Sequence, residues 1–433
     1  MGNTVGIVGG GAAGMMAAIA AARGGAKVTL LEGNDRLGKK ILSTGNGKCN
    51  LGNEKLGPED YHTGRPDMLA GFLRRFGTAD TEAFFREIGL MLKSRNGYLY
   101  PACEQAAAVL DALRYEVRDA GVEVVTDFKA EGIRQGRRKR QFEVRGKNGA
   151  YTFDRVVLAC GGRAAPKTGS DGSGYRLAEG LGHSLVPTVP ALVQLKCREE
   201  CLKAVAGVRA EAALSVHWQE KCVARERGEL QLTEYGISGI PVFQFSRVVN
   251  YILAGREAAG SRHRGEDKGV FRQRERGREV EVVIDFLPDY TEADFAALRA
   301  DRRLLQGQRT VEEFFTGMLH KKLMLLFVRM AGLKATESAA EADEGKLARV
   351  YELCRHWSVH VVGSNPYESA QVCAGGVPLD EVTEELESRL VPGVYFAGEL
   401  LDVDGRCGGY NLQWAWCSGS IAGWGASRKK GNQ

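Results

Sequence analysis

The sequence predicts an α/β protein in which an inserted β-rich and helical domain interrupts a Rossmann-like nucleotide-binding domain. Three observations indicate this fold. Residues 1–32 show the pattern of a strand, a glycine-rich turn, a helix and a second strand. A late strand, GVYFAGE, ends in Ala-Gly-Glu and returns the chain to the same domain. Between these segments the pattern changes to short alternating strands, which are typical of a different kind of domain.

Length and composition are those of a globular protein with more than one domain. The chain has 433 residues, of which 44% are apolar and 26% charged, and its net charge of +5 permits a nucleic-acid partner without requiring one. Ten cysteines occur without a CxxC pair, so neither a metal site nor a disulfide framework is expected. Because no signal peptide or membrane-length apolar run is evident, we expect a cytoplasmic protein with no membrane partner.

The N-terminal segment carries a dinucleotide-binding fingerprint. Gly9, Gly11 and Gly14 have the GxGxxG spacing directly after a buried strand. In this motif the first glycine forms the turn, the second lets the backbone approach a pyrophosphate, and the third lets helix and strand pack closely. The backbone N–H groups at the helix start, at Ala12 and Ala13, are predicted to bind phosphate.

The segment after the second strand favours FAD over a nicotinamide dinucleotide. Glu32, followed by Gly33, ends that strand at the distance where a carboxylate binds a ribose diol. A second glycine-rich, basic loop, NDRLGKKILSTGNGKCNLGN, follows at once, where a nicotinamide domain would continue into its next helix. Such a loop can run along the rest of FAD, and its lysines can neutralise phosphate or the reduced flavin. The predicted contacts of this loop are Lys40, Gly45, Asn46, Gly47, Lys48, Cys49 and Asn50.

The middle of the chain predicts the insert and its boundaries. We expect an FAD-binding first segment at 1–187, an inserted β-rich and helical domain at 188–362, and a closing FAD-binding segment at 363–433. Within the insert, LVQLKC, AALSVHWQ, CVARERGELQLTE and REVEVVIDFLP are predicted strands. EYGISGIPVFQFSRVVNYIL and TVEEFFTGMLHKKLMLLFVRMAGL are predicted to be helical.

Two buried strands return the chain to the predicted cofactor. DRVVLACGG brings Gly161 to the site, and GVYFAGE brings Gly398 and Glu399. We expect Gly398 to lie near the pyrophosphate and Glu399 to bind the ribityl chain, with Asp402 in support.

The stretch DGRCGGYNLQWAWCSG is predicted to complete the flavin site. Gly409 allows a sharp entry with unusual backbone angles, and Asn411 is predicted to cap a helix that starts at Leu412. The N–H groups of Leu412 and Gln413 would then face the flavin, where a helix N-terminus stabilises negative charge. The two tryptophans that follow are interpreted as packing residues.

Together these motifs resemble the BaiN/RdsA (YhiN-like) family of FAD-dependent oxidoreductases. The loop GKKILSTGNGKCNLGN is similar to the family's GxKxxxSGxGRCNxTN, with Thr44 for Ser and Lys48 for Arg, and GGYNLQWA matches residue for residue. The resemblance implies a glutathione-reductase-type flavoprotein fold. PKTGSDGSGY resembles the family's PxTGSxGxGY, which leads us to expect a loop on the substrate side formed by Thr168, Gly169 and Ser170.

The resemblance also implies a reaction, namely hydride transfer from reduced flavin to a conjugated C=C bond. NAD(P)H is expected as a transient electron donor, because the chain has one GxGxxG. Basic segments 134–140 and 256–278 favour uridine in large-subunit ribosomal RNA as the substrate, with dihydrouridine as the product. A small-molecule enone such as a bile-acid intermediate is the alternative, and a non-catalytic flavin-bound RNA-binding protein or an amine oxidase remains open. Candidate catalytic residues are Cys49, which we expect to pack beside the flavin, and Tyr410.

Overall fold

The computed structural model describes residues 3–136, 141–255 and 279–428. Within these ranges the chain divides into two compact units, the first formed by 3–190 with 367–428 and the second by 191–255 with 279–366. The sequence predicts these divisions after residues 187 and 362. The basic segment 256–278 and residues 137–140 of the basic hairpin lie outside the described residues.

The helices and strands are numbered in chain order. The helices of the described residues are α1 (Ala12–Arg23), α2 (Pro66–Arg75), α3 (Thr78–Glu87), α4 (Ala106–Asp119), α5 (Ser173–Gly180), α6 (Ile240–Leu253), α7 (Glu292–Gln306), α8 (Val311–Phe314), α9 (Lys321–Met330), α10 (Glu344–Arg355) and α11 (Tyr410–Ser427). The strands are β1 (Thr4–Val8), β2 (Lys27–Leu31), β3 (Gly52–Asn53), β4 (Tyr61–His62), β5 (Leu92–Arg95), β6 (Tyr98–Pro101), β7 (Glu123–Val125), β8 (Ala130–Gln135), β9 (Phe142–Gly146), β10 (Gly149–Phe153), β11 (Arg155–Leu158), β12 (Val186–Ala191), β13 (Leu195–Cys197), β14 (Arg209–Trp218), β15 (Lys221–Thr233), β16 (Gly236–Gly239), β17 (Val280–Asp285), β18 (Trp357–Ser364), β19 (Val372–Gly376), β20 (Val394–Phe396) and β21 (Asp404–Gly405).

A five-stranded sheet of parallel pairs forms the core of the first unit, with the strand order β20-β11-β1-β2-β7. Its central strands β11, β1 and β2 are buried along almost their whole length, as expected where both faces of a parallel sheet are covered. Val5, Ile7 and Val8 of β1 are buried, and Ile7 pairs with Val157 of β11 and Leu30 of β2. The predicted Rossmann-like architecture is therefore confirmed.

Helices α1 and α11 pack closely because small residues line their contact. A Cβ atom on Gly419 of α11 would lie 2.5 Å from the carbonyl oxygen of Ala13, and one on Gly423 would lie 2.3 Å from that of Ala17. Since real Cβ atoms do not approach so closely, these positions require glycine. The α1 sequence, rich in alanine, contributes the matching small side chains.

In the second unit, six strands form a closed barrel with the order β13-β16-β15-β14-β17-β18. Every neighbouring pair is antiparallel. Alternate residues of β17, namely Val280, Val282 and Ile284, are fully buried, as the period of two in a strand requires. The β-rich character predicted for the insert is confirmed.

Two predicted helices of the insert differ from the structure. EYGISGIPVFQFSRVVNYIL begins with β16, and α6 starts only at Ile240, because 236–239 complete the barrel between β13 and β15. Gly239 makes this change of direction at a φ of 105°, and a Cβ there would lie 2.2 Å from the carbonyl oxygen of Glu229. The second stretch forms α8 and α9 with a break between them, where Gly317 has a φ of 83°.

No helix among the described residues has the length and apolar character that crossing a membrane would need.

Candidate functional site

A cavity of about 380 Å³ opens at the carboxyl ends of the parallel strands of the first unit. The residues that follow four of these strands line it: Gly9 after β1, Glu32 after β2, Gly161 after β11 and Gly398 after β20. Ligands of open α/β sheets bind at this edge. The fold therefore brings together four predicted positions that are far apart in the chain.

The three motif glycines have three different surroundings. A Cβ on Gly9, whose φ is 103°, would lie 2.5 Å from the carbonyl oxygen of Ala159. One on Gly14 would lie 1.8 Å from the carbonyl oxygen of Gly9. At Gly11, which lines the cavity, a Cβ would meet no atom within 4 Å. Gly9 and Gly14 thus serve the turn and the packing, while the space beside Gly11 is open to the cavity.

The N-terminus of α1 points its unpaired backbone donors to the cavity wall. The amide of Met15 donates to the carbonyl oxygen of Gly11 at 2.9 Å, and this bond closes the first turn. The three preceding N–H groups have no acceptor within the helix. Ala12 and Ala13 line the cavity, so these donors and the positive end of the helix dipole are suited to an anion.

Glu32 is a buried acceptor on the same wall, with 8% of its surface exposed. Its Oε2 accepts the backbone N–H of Gly10 at 2.7 Å. Its Oε1 accepts the backbone N–H of Asn34 at 2.8 Å and the side-chain Nδ2 of Asn34 at 2.6 Å. These donors hold the carboxylate in one orientation while its remaining lone pairs face the cavity. The contribution of Asn34 has no signal in the sequence.

Lys40 and Glu399 lie on the cavity wall as an ion pair. Their Nζ and Oε2 atoms are 2.8 Å apart, and Oε1 of Glu399 accepts the backbone N–H of Cys373 at 2.6 Å. The side chains are half-buried, with exposed fractions of 25% and 18%. The sequence predicts Lys40 and Glu399 separately as cofactor contacts. In the structure they form an ion pair that holds the Lys40 ammonium beside the Glu399 carboxylate.

Several other predicted contacts do not line the cavity. Lys48 instead pairs with Glu104, with 2.7 Å between Nζ and Oε2. Cys49 is fully buried, and burial raises the pKa of its thiol to about 11, which keeps it neutral. The predicted contacts away from the cavity wall are Gly14, Gly45, Asn46, Gly47, Lys48, Cys49, Asn50, Asp402, Gly409 and Gln413.

Helix α11 begins earlier than predicted. It starts at Tyr410, after Gly409 with a φ of 93°, where a Cβ would lie 2.6 Å from the carbonyl oxygen of Gly52. Asn411 is therefore inside the helix and does not cap it, and its side chain exchanges two 2.8 Å hydrogen bonds with the backbone of Gly405. The prediction was wrong because the long-range contact with Gly52 decides where the helix starts.

The start of α11 faces the cavity with fewer groups than predicted. Asn411 and Leu412 line the cavity. Gln413 does not, because its N–H donates to the carbonyl oxygen of Gly409 at 2.9 Å and its side chain is fully buried against Thr81. Tyr410, a candidate acid, donates its hydroxyl to the carbonyl oxygen of Lys55 at 3.1 Å and lies away from the cavity wall. Burial raises the pKa of this hydroxyl.

The two tryptophans of α11 are packing residues. Trp414 and Trp416 are 2% and 0% exposed. Their indole N–H groups donate to the carbonyl oxygens of Gly398 at 3.1 Å and Leu51 at 2.9 Å. Trp414 thereby fixes the backbone that precedes Glu399.

The segment 168–170 lines the cavity beside the residues expected to bind ribose. The carbonyl oxygen of Thr168 accepts Asn34 Nδ2 at 3.3 Å, and a Cβ on Gly169 would lie 2.5 Å from the same nitrogen. Next to it, Asp171 pairs with Lys129. Burial alone would raise the pKa of Asp171, but hydrogen bonds from Lys129 and Ser173 lower it to about 2. The segment thus lies near Glu32 on the cavity wall, and its place on the substrate side stays a prediction.

These surroundings fit FAD. Glu32 supplies an acceptor for a ribose diol, α1 supplies donors for a pyrophosphate, and Gly11 leaves the space that close approach of phosphate needs. The Lys40–Glu399 pair and the start of α11 lie on the same wall.

Known proteins are similar in sequence to this chain over almost its whole length. The family model described as HI0933-like protein Rossmann domain matches residues 3–425. A relative from Clostridium scindens, 3-dehydro-bile acid delta(4,6)-reductase, is 41% identical over 430 residues, or 99% of this chain and 100% of the relative. A ribosomal RNA dihydrouridine synthase from Haemophilus influenzae is 28% identical over 422 residues, or 95% of each chain.

A solved structure is similar over the same length. It is the 3-ketosteroid delta1-dehydrogenase from Sterolibacterium denitrificans, with a TM-score of 0.49 and 13% identity, covering 98% of this chain and 99% of that one. A likeness this distant bears on neither activity nor substrate. The sequence relatives confirm the resemblance to the BaiN/RdsA family. The chain belongs to the HI0933-like Rossmann-domain family and is an oxidoreductase of the flavoprotein class.

Proposed function

We propose that this protein is an FAD-dependent reductase that saturates a conjugated C=C bond in a small-molecule enone. The observation that carries the proposal is the cavity at the sheet edge, with Gly11, Glu32 and the α1 N-terminus on its wall, in a chain 41% identical to a bile-acid reductase. FAD, when bound, supplies the hydride for this reaction. A proton completes the reduction, so that the C=C bond becomes CH–CH.

The chain's own residues would bind and orient the cofactor. Glu32 would accept the hydroxyls of a ribose, held in place by Gly10 and Asn34. The N–H groups at the start of α1 would bind the pyrophosphate. Lys40, fixed by Glu399, would place a positive charge against negative charge in the cavity. Apolar side chains on the wall, Val403 and Leu412 among them, would exclude water.

NAD(P)H is the proposed electron donor, bound transiently because the sequence has one GxGxxG. We place the reaction in the cytoplasm, since all ten cysteines are free thiols and a reducing compartment preserves them.

Uridine in ribosomal RNA is the second candidate substrate. Two relatives, from Haemophilus influenzae and Escherichia coli, are ribosomal RNA dihydrouridine synthases at 28% and 27% identity over 95% of this chain. The sequence favours RNA on the strength of its basic segments, but 256–278 and 137–140 lie outside the described residues. The relative with 41% identity makes the small-molecule enone our preferred substrate.

A reoxidation experiment distinguishes these candidates. The FAD-loaded protein would be reduced anaerobically with NADH or NADPH and then mixed with a 3-oxo-Δ4 steroid or with a ribosomal RNA transcript. We expect the steroid to reoxidise the flavin and to gain two hydrogen atoms by mass spectrometry. Reoxidation by the transcript alone, with dihydrouridine in its digest, would establish the RNA substrate, and reoxidation by neither would refute the proposal.

A further inference from the structure

The hairpin β5–β6 presents cations and tyrosines on one face. In its register Lys93 lies opposite Tyr100, and Arg95 lies opposite Tyr98. Residues directly opposite each other in an antiparallel pair project from the same face, as do residues two apart along a strand. We call this surface the cation–tyrosine face; it comprises Lys93, Arg95, Tyr98 and Tyr100.

The turn of the hairpin holds this face in one register. Asn96 and Gly97 have φ values of 56° and 88°, as a two-residue turn with positive φ at both positions requires. On the third strand of this small sheet, Gly52 pairs with Leu99, which is buried. The sheet therefore has a packed inner side and an outer side that carries the four named residues.

The cation–tyrosine face is accessible. Tyr98 is 37% exposed, the side chain of Lys93 is 40% exposed, and Arg95 is also exposed. Burial and the neighbouring Tyr98 raise the pKa of Tyr100, while Lys48 and Arg95 act in the opposite direction.

Glu104 links this face to the glycine-rich loop. Its two carboxylate oxygens pair with Lys48 and Lys93, each at 2.7 Å, and its backbone has a φ of 54°. The two lysines lower the pKa of Glu104 to about 2, so it is ionised. Lys48, Lys93 and Arg95 carry three positive charges against this single negative one. An excess of two positive charges remains among these four side chains.

Two cavity-lining segments lead to this surface. Tyr98 packs against Gly408, since a Cβ on Gly408 would lie 2.8 Å from Cε1 of Tyr98. Helix α11 begins two residues after Gly408, and its Leu412 lines the cavity. The second segment is the glycine-rich loop: its residues Lys40 and Thr44 line the cavity, and Lys48 lies at its end.

We propose that the cation–tyrosine face binds the carboxylate of a small-molecule enone acid whose C=C bond the enzyme reduces. The inference rests on the proposed function and names the part of the substrate that this surface recognises. Arg95 and Lys93 offer charge-assisted hydrogen bonds to a carboxylate, and the tyrosines offer flat apolar contact with a phenolic donor. Each strand of the face has four residues, and the face carries two cations. This surface is large enough for a small acid, whereas a single-stranded nucleic acid needs a groove several nucleotides long.

Paired probes test the proposal: a 3-oxo-Δ4 steroid with a side-chain carboxylate, and its methyl ester. For Lys93→Gln and Arg95→Gln we expect the Kd and KM of the acid to rise about threefold each, and about tenfold together. The kcat and the values for the ester stay unchanged, and the acid loses its advantage at high salt. Arg86→Gln, on the exposed surface of α3, is the matched control and should change neither probe.

Glu104→Gln provides a test in the opposite direction. Removing the negative charge should lower the KM of the acid about twofold without changing that of the ester, a gain that misfolding cannot produce. Equal binding of the acid by wild type and the double variant, or no binding by wild type, would overturn the inference even if both probes are reduced. Loss of oligoribonucleotide binding in the variants, with acid binding intact, would assign the face to RNA instead. If variant-sensitive binding of the acid occurs without reduction, the proposed function fails and the binding assignment stands.

Discussion

Single residues of the glycine motif have separable roles. Gly11 and Gly14 belong to the same GxGxxG, yet a Cβ at Gly11 would meet no atom within 4 Å and one at Gly14 would lie 1.8 Å from a carbonyl oxygen. Sequence spacing predicts both glycines, and the structure shows that Gly14 is tightly packed while Gly11 borders open space in the cavity.

Gly11→Ala should therefore weaken FAD binding without weakening the fold. We expect the Kd for FAD to rise at least about tenfold, because the new methyl group takes the space of the pyrophosphate. The melting temperature of the FAD-free protein should stay at the wild-type value. Gly14→Ala should lower that temperature, at a cost of about 1–3 kcal/mol or more, because overpacking forces helix and strand apart.

Fluorescence titration with FAD and thermal melts of FAD-free protein measure both effects. Gly64→Ala, at a position where a Cβ also meets no atom within 4 Å, is the control and should change neither quantity. A Gly11→Ala protein with wild-type FAD affinity would show that this space is not part of the cofactor site.

Other residue-level features could not be predicted from the sequence. Lys40 and Glu399 are 359 residues apart and meet only through the fold, as do Glu104 and its two lysines across a loop and a hairpin. Each residue is recognisable as charged, but charge in a sequence does not specify its partner.

Among helices and strands, the local sequence pattern predicted an element well where its residues follow a single apolar or glycine pattern along their whole length. The strands of the parallel sheet and α1 follow directly from apolar runs and glycine spacing. The pattern failed at β16, where pairing with the distant strand β13 overrides local propensity, and at the start of α11, where the close approach of Gly409 to the backbone of Gly52 does so.

The contact between α1 and α11 gives a prediction at this scale. Gly423→Ala should lower the free energy of unfolding by about 1–3 kcal/mol, since a Cβ would lie 2.3 Å from the carbonyl oxygen of Ala17. Urea unfolding followed by tryptophan fluorescence measures the change. Gly180→Ala, at the end of α5 with no atom within 4 Å, should leave stability unchanged or raise it slightly. Equal stability of Gly423→Ala and wild type would mean that the helices can separate at no cost.

At the scale of the molecule, all ten cysteines are free and differ widely in accessibility. Cys103 and Cys222 are exposed, whereas burial raises the pKa of Cys160 and Cys373 to about 12. Because the thiolate is the reacting form, buried thiols with raised pKa values react slowly.

A thiol titration of the native protein should show two fast groups. Ellman's reagent should label the exposed Cys103 and Cys222 first, the four partly exposed thiols more slowly, and the four buried thiols only as the protein unfolds. The Cys103→Ser, Cys222→Ser double variant should lose the fast phase. A disulfide would be revealed by fewer than ten thiols in denaturant without reductant, contrary to this expectation.

Local patterns in the sequence were enough to predict the Rossmann-like class, the β-rich insert, the glycine motif with Glu32 after the second strand, and the family. These features depend on local spacing, which the backbone geometry of strands, turns and helix ends dictates residue by residue. The folded structure was needed to show which predicted residues share the cavity wall, that Lys40 and Glu399 form one pair, that α11 starts at Tyr410, and that β5 and β6 present cations beside tyrosines. Those outcomes depend on contacts between segments remote in the chain, and the free energy of such contacts is not encoded in any local pattern.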